Sequence, residues 1–198
     1  MPSSQFDYLY KHREARRKMV HLSGLLLLPF LPIAPYGVAI FLAVLIVFYL
    51  FLELLWKQGK KIPSLSDFAF SCKRVTEEKG VSWAPPLLAG GIGLSLLLFS
   101  FPATACGLIH ACLGDSAAFV VGRWKGNKRI FYSRHKSYLG SFAYFATTAL
   151  ACSFYVPFWM AVTLAAIGAV LESFPLRSGD NFILPLGISF AASLLLWP

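Results

Sequence analysis

Apolar runs separated by short basic segments organise the whole chain. Seven runs stand out, at 19–35, 36–56, 85–101, 103–122, 140–156, 157–173 and 181–197. A helix needs about 20 apolar residues to cross the hydrocarbon core of a bilayer. The pattern therefore predicts an all-α, polytopic membrane protein of about seven transmembrane helices, forming one domain over 1–198. Prolines punctuate it. Pro85-Pro86 fits the first turn of the third run, Pro102 separates the third from the fourth, and Pro157 opens the sixth. The polar remainder is an arm, 1–18, and three loops, 57–84, 123–139 and 174–180. The loop 57–84 alone has room for soluble structure. Its stretch Asp67 to Lys79 predicts a short amphipathic helix on the membrane surface, with Phe68, Cys72 and Val75 as apolar contacts. Trp56, Trp83 and Trp124 fall at run ends, where tryptophan anchors helices at the interface.

Composition agrees with this pattern. The chain is 57% hydrophobic and 14% charged, whereas soluble domains carry about 25% charged residues. This excludes a soluble domain with a single anchor. The first run leads into Pro29, Pro32 and Pro35 without a small-residue cleavage site, so it does not read as a signal peptide. Cys72, Cys106, Cys112 and Cys152 show no CxxC spacing and read as small apolar residues rather than as disulfides or zinc ligands.

The net charge of +9 has a simple distribution. Lys11, Arg13, Arg16, Arg17 and Lys18 lie in the arm. Lys57, Lys60, Lys61, Lys73, Arg74 and Lys79 lie in the first loop, and Arg123, Lys125, Lys128, Arg129, Arg134 and Lys136 in the second. Arg177 lies in the third. With seven crossings, every Lys and Arg falls on one side, and the connections around Pro35, Pro102 and Pro157 carry none. The positive-inside rule makes that side cytoplasmic, with the N-terminus, and puts the C-terminus opposite. The same rule accounts for the basic balance, so no nucleic-acid partner is expected.

Most acids sort with the bases: Asp7, Glu14, Asp67, Glu77, Glu78 and Asp180 lie in the same segments. Three carboxylates lie in the apolar runs. Glu53 ends the second run, Asp115 sits about two helical turns above the cytoplasmic end of the fourth, and Glu172 closes the sixth. An ionisable group at a helix centre costs roughly 2.5–3.5 kcal/mol on insertion scales, so such groups need a reason. Carboxylates beside Lys and Arg at a water–lipid boundary suit Mg²⁺ and phosphate. A salt bridge from Asp115 to Arg123 or another loop cation is the structural alternative. Gly107, Ala111, Gly114, Ala118 and Gly122 form a small-residue stripe that predicts close helix packing beside Asp115. Ser137 is a candidate N-cap for the fifth helix.

The ordered motifs Gly114-Asp115-x-x-Ala118, Gly122-Arg123-x-x-Gly126 and Lys136-Ser137-x-x-Gly140-Ser141 carry a resemblance. Arg17-Lys18-x-x-His21 precedes them, Glu53 ends the second run, and Glu172 with Gly179-Asp180-Asn181-x-x-x-Pro185 follows. Together they span 17 to 185, and the chain resembles the CTP-using polyprenol kinase family, which includes dolichol kinase, phytol kinase and the CTP-dependent diacylglycerol kinase. The resemblance implies a transferase of lipid metabolism, embedded in the membrane. Its substrates would be CTP and a lipid alcohol such as phytol, a polyprenol or dolichol, with Mg²⁺ as cofactor and membrane lipids around it.

On that footing Asp115, Glu172 and Asp180 are the candidate catalytic and metal-binding residues, with Glu53 a further possibility. Arg17, Lys18, His21, Gly122, Arg123, Lys125, Gly126, Lys136, Ser137, Gly140 and Asn181 are candidates for nucleotide and phosphate. The spacing is also similar to that of CDP-diacylglycerol synthase, a cytidylyltransferase, so that activity is the first alternative. A small transporter or channel is the second. The scarcity of ionisable groups in the outer half of every run counts against it.

Overall fold

Helices dominate the described residues, as the apolar runs predict. The computed structural model describes residues 3–60, 62–73, 80–126, 128–174 and 179–197. Lys61, Arg74, Val75, Glu77, Glu78, Lys79 and Arg177 lie outside these, as do the side chains of Asp7, Lys11 and Arg134. The helices are α1 (Ser3–Ser23), α2 (Pro35–Lys57), α3 (Leu65–Ser71), α4 (Ala84–Leu98), α5 (Phe101–Ile109), α6 (Asp115–Trp124), α7 (Tyr138–Cys152), α8 (Phe158–Ser173) and α9 (Asp180–Leu196).

Two helices are long and apolar enough to cross a membrane, Pro35–Lys57 and the continuous Phe101–Trp124. Helices α4, α8 and α9 are apolar but shorter. The run 19–35 is not a helix of its own. Its first residues finish α1, 3-10 turns cover Gly24–Phe30, and a turn leads to α2. Pro29, Pro32 and Pro35 explain this, since each lacks the amide that would continue an α-helical ladder. The prolines at the other boundaries behave as predicted. Pro85 and Pro86 sit in the first turn of α4, and Pro157 is the N-cap position of α8.

The helix Phe101–Trp124 is the hub. Its first half, α5, packs on α9, and its second half, α6, packs on α7. Helix α7 packs on α8, while α4 bridges α2 and α9. Ala103, Cys106 and Ile109 meet Leu164, Ile188 and Ala192 in the largest apolar cluster. Ala105, Leu108 and Cys112 meet Leu31, Leu42 and Ile92 on the other flank. By contrast, α2 exposes Phe41, Val44, Val47, Phe48 and Phe51. A contiguous apolar face of that kind marks contact with membrane or with another protein.

The small-residue stripe does pack closely. A Cβ on Gly107 would overlap Ser189 Oγ and the Pro185 carbonyl, and one on Gly114 would meet the Tyr144 ring and Thr148. Gly107→Ala is therefore expected to cost about 1–3 kcal/mol, because a backbone oxygen cannot swing aside. Gly187→Ala has nothing within 4 Å and should be neutral, or stabilising by about 0.5–1 kcal/mol. Comparing the two variants by thermal unfolding separates close packing from helix propensity.

Two features depart from a purely α-helical reading. A small antiparallel hairpin, β1 (Arg129–Ile130) and β2 (Ser133–Ser137), turns at Phe131-Tyr132 inside the loop 123–139. Tyr132 stacks on Phe174 and shares a hydrogen bond with Ser173 Oγ, which seats the hairpin on the end of α8. The hub helix also contains a π-helical turn at His110–Gly114, where the Asp115 amide donates to the His110 carbonyl. That i→i+5 bond shifts the register of α6 by about one residue relative to α5.

Candidate active site

Two carboxylate–lysine pairs, the first buried and the second with a part-exposed lysine, define the polar centre of the fold. The first joins Asp115 to Lys18, with His21 Nδ1 at 3.6 Å from the same carboxylate oxygen. The N-terminal arm supplies both partners. One face of α1 buries Glu14, Arg17, Lys18 and His21, while Ala15, Arg16, Met19 and Val20 face out. The arm is thus a helix packed against the hub, and Asp115 pairs with it rather than with Arg123. Arg123 instead stands over the Phe119 ring at 5.6 Å.

The second pair joins Glu172 to Lys136. The hairpin makes it possible, because β2 carries Lys136 over the last turn of α8. Lys136 feels Glu172, Asp115 and Asp180 together. Asp115 in turn feels Lys18, Lys136, His21 and Arg17. All three acids singled out in the sequence thus favour the charged form of Lys136, Glu172 by direct contact. Among the described residues, no three of His, Cys, Asp and Glu come together as a metal-binding group.

The two lysines respond oppositely to their surroundings. Burial pulls Lys18 below its ordinary value of 10.5, and Asp115 offsets this only in part. Burial also acts against Lys136, but Glu172 and Asp115 outweigh it and raise that ammonium above 10.5.

Several polar atoms in this region are buried without a hydrogen-bond partner among the described residues. They include Nε and Nη1 of Arg17, whose Nη2 donates to Glu14 at 2.6 Å, and Oε2 of Glu172. Ser141 Oγ and His110 Nε2 are in the same condition. Leaving a buried polar group unmet costs about 1–3 kcal/mol, more for a charged one.

The glycine motif has a packing role. A Cβ on Gly126 would overlap the Gly122 carbonyl and Ser137 Oγ, and Gly122 and Gly140 approach each other and the same hydroxyl. Ser137 caps α7 as predicted, its Oγ accepting from the Gly140 amide at 3.1 Å. The space opened by these glycines is thus filled by Ser137 and the start of α7.

Other candidates make contacts of their own. Lys125 is exposed and lines an outer groove. Asn181 Nδ2 donates to the Ala84 carbonyl at 3.3 Å, tying α9 to α4. Asp180 accepts from the Asn181 amide at 2.9 Å. Glu53 is held by Lys73 at 2.7 Å, the Tyr49 hydroxyl at 2.8 Å and the Ser82 amide at 3.2 Å. Lys73 also donates to the Gly80 carbonyl, and Phe70 packs on Trp56. Glu53 is therefore a latch that closes the first loop onto α2. Phe70, not Phe68, is the inward aromatic of that loop, and Trp56 is its partner as well as a run-end residue. Glu53→Gln is expected to cost about 3–5 kcal/mol, since it leaves Lys73 buried and unpaired. Faster tryptic cleavage at Lys57 and Lys60 would report the opened loop.

The sequence pattern places Lys73 and Glu14 only as loop and arm charges, and it does not single out the pair His110–Tyr144, whose Nδ1 and hydroxyl lie 2.9 Å apart. A histidine inside an apolar run was the available signal for the last of these. No family model matches the chain, and no curated protein or solved structure does either.

Proposed function

We propose that this chain is a membrane-embedded kinase that transfers the γ-phosphate of CTP to the hydroxyl of a lipid alcohol. One observation carries the reading. Among the described residues, Arg17 buries two N–H donors that lack an acceptor, and Glu172 buries an oxygen that lacks a donor. A buried anion would satisfy the first and a cation the second, and nucleoside triphosphate with its Mg²⁺ supplies both.

The donor set fits such a metal. Mg²⁺ is usually held by one or two carboxylates, with substrate phosphates and water completing its shell. A cage of three protein ligands is not needed. Glu172 and Asp115 would hold the ion, which neutralises phosphate charge when bound. Arg17, Lys18 and Lys136 would take the remaining phosphate oxygens, and the guanidinium fork suits them in particular.

Phosphoryl transfer asks the protein mainly for in-line positioning and charge stabilisation. The alcohol oxygen bonds to the γ-phosphorus as the bond to the β–γ bridging oxygen breaks. CDP leaves with that electron pair, and a site carboxylate takes the hydroxyl proton. The arm and the hairpin, which carry the lysines, would admit the nucleotide from the cytoplasm, and the lipid would enter between helices. A multi-pass arrangement, with all Lys and Arg on the cytoplasmic side, completes the reading. The choice of CTP, and of a phytol, polyprenol or dolichol type of acceptor, rests on the motif resemblance.

The test is purified protein with Mg²⁺, labelled CTP and a panel of phytol, geranylgeraniol, undecaprenol, dolichol and diacylglycerol. Label from the γ-phosphate in a lipid establishes the kinase and its alcohol class. Cytidine label in a lipid formed from phosphatidic acid, with pyrophosphate released, would replace it by a cytidylyltransferase. No transfer with any lipid or nucleotide would leave transport as the better reading.

A further inference from the structure

A second cationic feature lies outside the buried centre. Arg17, Lys18, Lys73 and Lys136 are each paired with a carboxylate. Lys125 and Lys128 are exposed, and no carboxylate pairs with either among the described residues. Both line an open groove of about 400 Å³, together with Tyr138, Leu139 and Phe142.

The backbone gives this groove a polarity. Lys125 follows the last turn of α6, and the Lys128 carbonyl accepts from the Tyr138 amide at 3.2 Å. Both cations thus sit where α7 begins. Leu139 and Phe142 follow within the first turns of α7 and are exposed. At about 1.5 Å per residue, Phe142 lies about 6 Å further along the helix than Tyr138. Cations at the start of α7, with exposed Leu139 and Phe142 leading along the helix, match an anionic headgroup above an acyl chain. A nucleotide would leave the apolar end unused.

We propose that this groove binds an anionic glycerophospholipid, its phosphate between Lys125 and Lys128 and an acyl chain along Leu139 and Phe142. The site does not depend on the kinase reading, since it shares no residue with the Asp115–Lys18 and Glu172–Lys136 pairs. It gives Lys125 a role different from the nucleotide contact that the motif resemblance implies. Two basic residues near an anionic surface predict a preference of roughly 30-fold over a zwitterionic lipid of the same chain length. The preference should shrink as salt rises.

Trp124, the residue before Lys125, is 84% exposed and serves as the reporter. The protein and its Trp124→Phe variant are placed in nanodiscs containing brominated phosphatidylglycerol or brominated phosphatidylcholine, and the Trp124 signal is taken as their difference. Stronger quenching by the phosphatidylglycerol is expected. Lys125→Ala with Lys128→Ala should equalise the two lipids, while Lys125→Arg with Lys128→Arg should keep the preference and control for folding. Equal quenching of the unaltered protein by both lipids overturns the site. Loss of the preference on adding millimolar inorganic phosphate would give the groove to free phosphate and overturn the lipid assignment.

Discussion

Asp115→Asn is expected, on the proposed function, to cut phosphoryl transfer to the lipid by orders of magnitude and, in the same protein, to lower its stability. The catalytic loss should be about 10²–10⁴-fold, the range for removing a positioned acid–base group. The stability loss has a separate origin. Lys18 would remain as a buried ammonium without its counter-ion, and breaking a buried pair from one side costs about 3–5 kcal/mol. Adding Lys18→Met removes the stranded charge and should restore most of the stability, but no activity. Thermal unfolding and lipid phosphorylation, measured in parallel on both variants, separate the two roles. A single variant with full activity would remove Asp115 from the reaction. A stable double variant that also regains activity would reduce the pair to a structural contact.

The second large effect concerns Lys136. Lys136→Met leaves Glu172 buried with one oxygen newly unpartnered and the other already so. A hydrogen bond to a charged group contributes about 1.5–3 kcal/mol, so the KM for CTP should rise about 10- to 100-fold. An unchanged nucleotide affinity would take Lys136 out of the phosphate site. The pH dependence gives an independent check. Glu172 and Asp115 hold Lys136 above its ordinary 10.5 despite its burial. A raised lysine contributes stability that is complete below 10.5 and is lost as pH rises through the higher folded value. The unaltered protein should therefore stay more stable than Lys136→Met from neutral pH through pH 10, the two converging only in stronger alkali. Lys18 has the opposite sign: burial lowers it, so ionising it in the fold opposes folding, and that cost disappears as pH rises toward 10.5.

The helical character of the chain, and the prolines that open α4 and α8, follow from local pattern and local sterics. So do the Ser137 cap and the close packing at Gly107, Gly114 and Gly122. A missing amide, a missing Cβ and a cap hydroxyl act over a few residues, so the sequence displays them directly. The motif residues Asp115, Lys136 and Glu172 were visible for a related reason, because an ionisable group inside or beside an apolar run is costly wherever the chain folds.

Long-range pairing lies beyond local pattern. Asp115 could have met Arg123, eight residues on, but the fold gives it Lys18, 97 residues away. Glu53 reads as a possible site residue until Lys73, Tyr49 and Ser82 are seen to enclose it. The π turn at 110–114 adds one residue to a helical turn, a register change that periodicity alone does not reveal. The hairpin 129–137 owes its place to Tyr132 and its contacts with Ser173 and Phe174, at the end of a helix remote in sequence.

By itself, then, the sequence determined the helical class, the sorting of every Lys and Arg into the arm and loops, and which polar residues stand in apolar surroundings. Those are properties of composition and of neighbours within a turn or two. Only the tertiary structure decided which lysine neutralises which carboxylate, which glycines are filled by Ser137, and that Lys125 shares a groove with Lys128. A buried charge must find its counter-charge wherever packing brings one, and packing is set by the whole chain.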